Sequence, residues 1–421
     1  MPSPLTPSSG AADIRVGLAG FGPAGAFFHA PLIAATPGLR LSAVVTRDPG
    51  RAARVRAEHP GAEVVASAED LWDACDLVVI ATPNRTHVPL ATEALKAGLP
   101  VVVDKPLAGT ADEARDLVRL ARDRGIMLTV FQNRRWDGDF LTLRRLLPEL
   151  GEIRRFESRF ERWRPEPKGG WREAGGPEDV GGTLFDLGSH LVDQALTLFG
   201  PVAHVYAETD VRRAGIRNDD DAFVALTHRS GTRSHLWMSA VAGQPGPRLR
   251  VLGSRAAYVK WGLDPQEERL RAGERPGPAD FGRGTERRDD WGTEPRDPGG
   301  TEPRDPGGTE PRDPGGTEPR DPGGTEPRDL GGREPRGSWG TEPPGRWGTL
   351  GVEGDVRPVR TEAGAYQRFY EGVVACLRDG APPPVPAEEA VETIAVLEAA
   401  RLSASLGQVV PVPAHGDRLG E

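Results

Sequence analysis

Over the first third of the chain, short apolar runs alternate with amphipathic stretches. The runs lie at 14–19 (I-R-V-G-L-A), 41–45, 63–65, 77–81, 100–103 and 127–130. The one at 77–81, L-V-V-I-A, is apolar throughout, as expected of a parallel strand covered on both faces. Residues 112–124 space their apolar positions as a helix does and stop at Gly125. Strand and helix in this alternation predict an α/β domain over 13–131, built on a doubly wound parallel sheet. In such sheets ligands bind beyond the carboxyl ends of the strands. The positions to inspect are therefore 20–25, Thr46 and Arg47, Thr82, Pro83 and Asn84, and Asp104 with Lys105.

After Gly151 the texture changes to longer alternating stretches at 152–163, 202–211, 222–228, 234–241 and 249–261, interrupted by a helical pattern at 183–199. Two more helices are expected at 364–378 and 387–406. This reads as an α+β domain over 132–421 with a large, mostly antiparallel sheet. From Thr293 the octapeptide T-E-P-R-D-P-G-G runs five times in tandem through Gly332, and degenerate copies continue to Gly348. Apart from Leu330, the five copies hold no aliphatic or aromatic side chain. Ordering backbone costs about 1–2 kcal/mol per residue, and nothing in these copies offsets it by burial. Residues 293–348 are accordingly expected to form a disordered insertion, and the Pro/Ser-rich residues 1–12 a disordered tail rather than a signal peptide.

Composition narrows the partners. The 421 residues carry a net charge of −9, which argues against nucleic acid or an anionic membrane surface. No run approaches the ~20 apolar residues that span a bilayer. Cys75 and Cys376 are the only cysteines, which suits a reducing cytoplasm.

The first apolar run leads directly into G-F-G-P-A-G, comprising Gly20, Phe21, Gly22, Pro23, Ala24 and Gly25. This matches the G-x-G-x-x-G of Rossmann dinucleotide-binding domains. The first glycine permits the tight turn, the second lets the backbone approach a pyrophosphate, and the third lets helix and strand pack closely. The phosphates would then meet N–H groups at the helix N-terminus. At the end of the second strand, where NAD-specific domains carry an acid, stand Thr46 and Arg47, with Arg51 nearby. An arginine and a hydroxyl suit a 2′-phosphate, so NADP is expected; Asp48 keeps NAD open. Asp186 and His190 lie four apart on a predicted helix and so share a face, where a carboxylate can orient an imidazole. The spacing alone equally fits a helical histidine satisfied by a neighbour. The arginine-rich run 154–164 alternates with Glu157 and Glu161, which reads as a solvated strand face. The histidines show no H-E-x-x-H spacing, and neither a P-loop nor G-x-S-x-G is present.

Several motifs together resemble the Gfo/Idh/MocA oxidoreductases. They are G-F-G-P-A-G followed by F-H-A-P-L-I, A-T-P-N-R-T-H at 81–87, D-K-P at 104–106 and D-L-G-S-H at 186–190. Q-N-R-R-W-D at 132–137 and the segment around D-L-G-S-H-L-V-D-Q are most similar to NADP-dependent scyllo-inositol dehydrogenases. The resemblance implies metal-free hydride transfer between nicotinamide and a secondary alcohol or ketone of a polyol or sugar. Lys105, Asp186 and His190 would be the catalytic group. Asn84 and His87 would line the cofactor groove, with Trp171 and Arg172 reaching over it. Asn133, Arg134, Trp136 and Asp137 would line the substrate pocket. The family's usual tripeptide is E-K-P, so Asp104 is a shorter carboxylate beside Lys105. The resemblance also implies a homo-oligomer formed through the second domain's sheet. Two other readings share the fold: a dinucleotide-binding sensor without catalysis, and a glycosidase that oxidises its substrate transiently.

Overall fold

The computed structural model describes residues 12–176, 179–282 and 338–413. Six parallel strands form the first sheet: β1 (Ile14–Ala19), β2 (Leu39–Val45), β3 (Glu63–Val65), β4 (Leu77–Ile80), β5 (Val101–Asp104) and β6 (Leu128–Phe131). Their order is β3-β2-β1-β4-β5-β6. All four residues of β4, of β5 and of β6 are buried, as their apolar runs require. Alternation divides them between two cores. Val16, Leu18, Leu77, Val79 and Val102 face one side, and Val78, Ile80, Val101, Val103 and Val130 face the other. The second side is covered by the helices His87–Lys96 and Ala111–Arg124. The latter begins at a reciprocal cap between Thr110 and Glu113 and ends at Gly125, whose φ of 64° is left-handed.

The second sheet has nine strands: β7 (Ile153–Glu161), β8 (Val202–Asp210), β9 (Asp221–His228), β10 (Arg233–Ser239), β11 (Leu249–Gly253), β12 (Ala257–Lys260), β13 (Gly348–Val352), β14 (Asp355–Val359) and β15 (Val410–Pro411). Their order is β14-β13-β12-β11-β7-β10-β9-β8-β15, and every pairing is antiparallel except β7 with β10. One face carries Phe156, Phe160, Val224, Leu236 and Met238 and packs against the helix Gly188–Phe199. Sequence periodicity anticipated β7 to β10, read the hairpin of β11 and β12 as one stretch at 249–261, and missed β13 to β15.

Two expectations about domain limits need correction. The helix Gln367–Asp379, placed by sequence in the second domain, contributes Phe369, Tyr370 and Val373 to the first domain's core. The helix Ala387–Leu406 serves both. Its first half buries Ala387, Ala390, Val391 and Ile394 against the parallel sheet, and its second half buries Val396, Leu397, Ala399 and Ala400 against the other. The chain therefore returns to its first domain after building the second.

The end of the repeat region is also folded. The expectation carried the insertion on to Gly348, but Trp339 is buried and donates from Nε1 to Gln367 Oε1 at 3.1 Å. Glu342 pairs with the buried Lys260 at 3.2 Å. These last copies differ from the repeat in offering a tryptophan and in reaching a buried cation, which supplies the burial that the octapeptide lacks. The five regular copies at 293–332, and residues 1–11 of the N-terminal tail, lie outside the described residues. Among the described residues, no helix is long and apolar enough to cross a membrane.

Candidate active site

The strand order reverses between β1 and β4, and a cleft of about 740 Å³ opens there past the strand ends. Its lining includes Gly20, Phe21, Gly22, Pro23, Ala24, Thr46, Arg47, Arg51, Thr82, Pro83, Asp104, Trp171 and Arg172. Most of the residues expected to touch a dinucleotide are thus brought together. Gly20 has φ +100°, and a Cβ there would lie 2.7 Å from Ala81 O, so the turn after β1 is pressed against the end of β4. A Cβ on Gly25 would lie 2.1 Å from Gly20 O, which is the close helix–strand approach that the motif implies. At Gly22, by contrast, a Cβ would meet nothing within 4 Å. That open space beside a helix start is what a diphosphate needs, since first-turn N–H groups have no intrahelical partner. These residues fit a nicotinamide dinucleotide.

At the end of β2, Arg47 donates from Nε to Ala66 O at 3.1 Å. Asp48, the reason to keep NAD open, accepts from Arg51 N at 2.8 Å as the N-cap of the helix Pro49–Glu58. One of its oxygens is therefore spent on the helix start.

Lys105 follows β5 and Asp186 ends the short helix Thr183–Asp186, so the two arrive from different domains. Lys105 Nζ donates to Asp186 Oδ1 at 2.7 Å and to Asp186 O at 2.6 Å. Arg172 lies 3.4 Å from the same carboxylate oxygen. Burial opposes the charge on Asp186, yet Lys105 and then Arg172 hold it well below the usual carboxylate range. The expected Asp186–His190 pairing is not what forms. The helix breaks at Leu187 before Gly188–Phe199 begins, His190 N bonds Leu187 O, and Asp186 O goes to Lys105 instead. The carboxylate thus clasps the lysine and does not orient the imidazole by a hydrogen bond. His190 is buried, and its Nδ1 has no hydrogen-bond partner among the described residues. Burial, then the charges of Lys105 and Arg134, push its pKa well below that of an ordinary histidine. It is a neutral, unsatisfied imidazole beside a lysine ammonium.

Other expected site residues have bracing roles. Asn84 and His87 do not line the cleft. Asn84 donates to Val180 O at 3.0 Å, and His87 uses both ring nitrogens on Pro106 O and Thr82 O, at 2.8 and 3.0 Å. Asn133, Arg134, Trp136 and Asp137 are all buried. Trp136 packs edge-on against Phe369 in the first core. Arg134 bonds Glu267 at 2.5 Å, and Tyr366 Oη donates to Asp137 at 2.6 Å. Burial pushes the Asp137 carboxyl well above its ordinary range. None of the four lines the cleft, and Arg134 O accepts from Gln194 Nε2 at 2.8 Å, which ties this segment to the helix Gly188–Phe199.

Sequence reasoning missed His29. It lies in the F-H-A-P-L-I stretch, buried, with Nδ1 2.7 Å from Tyr370 Oη and Nε2 3.7 Å from Asp104. The shorter Asp104 is in turn bonded by Lys105 N at 2.9 Å. The sequence showed it only as one letter of the F-H-A-P-L-I motif, with no role attached, because its partner Tyr370 lies 341 residues away.

Comparison with known proteins agrees with this geometry. The family described as "Oxidoreductase family, NAD-binding Rossmann fold" matches residues 14–132. The GFO/IDH/MocA C-terminal domain matches 140–259, and the family's C-terminal alpha/beta domain matches 356–412. The chain is 47% identical over 274 residues to the uncharacterized oxidoreductase YdgJ of Escherichia coli, covering 64% of this chain and 78% of that one. It is 36% identical over 267 residues to scyllo-inositol 2-dehydrogenase (NADP(+)) IolW of Bacillus subtilis, covering 62% and 73%. The solved structure of YvaA from Bacillus subtilis superposes with a TM-score of 0.77 at 29% identity, covering 96% of this chain and 99% of that one. With both domains matched and a glycine-turn cleft between β1 and β4, this chain belongs to the GFO/IDH/MocA family of oxidoreductases.

Proposed function

We propose that the protein carries out NADP-linked hydride transfer at a secondary alcohol or ketone of a cyclitol or sugar. The observation that carries this reading is the neutral His190 imidazole, its Nδ1 without a partner among the described residues, beside the Lys105–Asp186 clasp, whose carboxylate meets the cleft-lining Arg172. A lysine ammonium has three donors. Two are taken by Asp186 O and Oδ1, which leaves one N–H of Lys105 for a substrate oxygen. Donating there stabilises the charge that develops on that oxygen. His190 takes the hydroxyl proton during oxidation and returns it during reduction. A nicotinamide bound in the cleft supplies the hydride acceptor in one direction and the donor in the other. Asp186 keeps the ammonium aimed, and Arg172 and Trp171 close the cleft from the second domain.

Support for NADP comes from Thr46, Arg47 and Arg51 on the lining, with Asp48 occupied in capping. IolW, named as an NADP-dependent scyllo-inositol dehydrogenase, supports the polyol class. We also infer a cytoplasmic homo-oligomer. Both cysteines are unpaired, and the outward face of the second sheet carries a cluster of rings in edge-on and tilted contact, Phe223, His235 and Trp237. The test is a screen of the purified protein against inositols, aldoses and deoxysugars with NADP and with NAD, following the absorbance of reduced cofactor. Turnover of at least one polyol with preference for NADP is expected. Turnover only with NAD overturns the cofactor assignment, and none with any polyol overturns the substrate class.

A further inference from the structure

The arginine-rich run 154–164 reads from sequence as a solvated strand face, and for one member the structure reverses that reading. Along β7, Phe156, Ser158 and Phe160 are fully buried on the helix-covered face. Side chains two apart share a face of a strand, so Arg162, just past the end of β7, continues the same inward row. Backbone bonds from Arg162 N to Ser239 O and from Ala242 N to Arg162 O keep that extension in register. Its guanidinium lies 4.6 Å from the Phe160 ring centroid, and the Arg134 guanidinium lies 4.6 Å from the same centroid. Two cations thus share one buried ring.

Arg134 has acids for partners and Arg162 does not. Among the described residues, the Arg162 guanidinium makes no ion pair and no hydrogen bond. The two acids whose charges reach it, Glu267 and Asp186, are already engaged. Glu267 is held by Arg134 at 2.5 Å and by Arg271 at 3.0 Å. Asp186 is held by Lys105 at 2.7 Å and by Arg172 at 3.4 Å. Five cations therefore face two carboxylates, while Asp137, beside Arg134, is pushed by burial toward its protonated form. Burial, then Arg164, lowers the pKa of Arg162 to about 10, the direction expected of a cation short of counter-charge. Nor does Arg162 belong to the dinucleotide cleft, whose lining does not include it. Its charge is felt by the Asp186 carboxylate of the Lys105–Asp186 clasp, which places it near the proposed reaction centre.

We infer that Arg162 is a specificity-determining residue that receives an anionic substituent of the substrate, a carboxylate or a phosphate carried on the sugar or cyclitol ring. This rests on the polyol reading above and narrows it from neutral rings to acidic ones. A guanidinium presents a planar fork that matches either anion with two parallel hydrogen bonds, and a partly buried one without a protein acid gains most from such a ligand.

The experiment uses the full chain with NADP present, as wild type, Arg162→Gln and Arg162→Lys. Glucose, glucuronate and glucose 6-phosphate serve as probes, with calorimetric binding and reduced-cofactor absorbance as separate readouts. Wild type should bind one of the two anionic probes at least about tenfold more tightly than glucose, the scale of one charge-assisted hydrogen bond. Arg162→Gln should reduce that ratio to near one while changing glucose affinity less than about twofold, and Arg162→Lys should retain part of it. Equal binding of all three probes by wild type overturns the inference. So does an equal loss for neutral and anionic probes in Arg162→Gln, which would mean that the arginine only packs on Phe160. Charge-selective binding without turnover of any probe supports the inference and counts against the hydride-transfer reading, so the two fail separately.

Discussion

Glu342→Gln tests whether the last copy of the repeat is part of the fold. The carboxylate is 2% exposed and the Lys260 side chain 1% exposed, at 3.2 Å. At that separation two unit charges attract by ~5 kcal/mol for an effective dielectric of ~20. Removing one partner of a buried pair typically costs about 3–5 kcal/mol, because the other charge is left without compensation. Lys260 keeps Trp261 O as an acceptor at 2.7 Å, and a glutamine can still accept from Thr361 Oγ1, now bonded to Glu342 at 2.5 Å. The loss should therefore fall near the lower end, about 3 kcal/mol. With a urea slope of about 3 kcal/mol/M, the unfolding midpoint should drop by about 1 M without a change in slope. The double variant Lys260→Met with Glu342→Gln should recover much of this, since no buried charge is left over. Deleting the five octapeptides at 293–332 should leave the midpoint in place, because closing a shorter loop changes the entropy only logarithmically. Deleting 293–348 instead removes Trp339 and Glu342 and should cost at least as much as Glu342→Gln. If Glu342→Gln shifts stability by less than about 1 kcal/mol, the buried pair is not holding this segment and the reasoning fails.

The remaining predictions concern the cleft and the response to pH. Arg47→Ala should weaken NADP binding about 10- to 100-fold, the worth of a charge-assisted hydrogen bond, and leave NAD binding nearly unchanged; equal losses for both would refute the 2′-phosphate assignment. His190→Ala should lower alcohol oxidation by about 10²–10⁴-fold with cofactor affinity retained. Because the His190 pKa is depressed, oxidation should be flat through neutrality and fall only in acid, and Lys105→Met should move that acid limb to higher pH by removing a positive neighbour. His228, bonded to Gly200 O and Ser234 Oγ and pushed down to about 4 by burial, stays neutral in the native state where the unfolded chain binds a proton. The His228 share of stability should therefore be lost on acidification from about pH 6.5 to 4, about 3 kcal/mol from this residue. His190 and His87, also held low by burial, add to the fall, so His228→Gln should make the acid slope shallower without abolishing it in a denaturation series.

Local patterns exposed the parallel sheet and the glycine turn because both are written within a few residues of sequence. The full burial of β4 follows from L-V-V-I, and the turn after β1 follows from glycines that the geometry at Gly20 and Gly25 demands. What stayed hidden depended on partners distant along the chain. Asp186 and His190 look like a pair at helical spacing, yet Lys105, 81 residues away from Asp186, takes both its carboxylate and its carbonyl and the helix breaks there. Arg162 belongs to a visible alternation, but which face of β7 is covered is set by helices on either side of it in the chain, Gly138–Leu150 and Gly188–Phe199. Glu342 stands in the same T-E-P as every copy of the repeat and differs only in having Lys260 to meet, while Trp339, an addition of the degenerate copies, gains its place through Gln367.

The two side chains proposed to react, Lys105 and His190, come from different cores, and this accounts for the buried ionic bonds at the seam. Lys105 is fixed by the parallel sheet, whereas Asp186 and His190 sit on helices of the second domain. A shift of about 1 Å between them would remove the lone free N–H of Lys105 from the substrate oxygen, at a cost on the order of 10²-fold in rate. Several bonds oppose such a shift. Arg135, just after β6, bonds Asp193 one turn beyond His190 at 2.5 and 2.8 Å, with all three side chains buried. Gln194, from the same helix, donates to Arg134 O at 2.8 Å. Asn84 and Arg85 hold Val180 and Asp179 at 3.0 Å each. The helix Ala387–Leu406 binds both cores with one rigid element. Buried ion pairs add little net stability compared with apolar packing, so their concentration around Lys105, Asp186 and His190 is better explained by positioning. On that account Arg135→Met with Asp193→Leu should leave the unfolding midpoint nearly unchanged while lowering kcat. A variant pair that lowers stability and kcat together would instead make the seam a folding element.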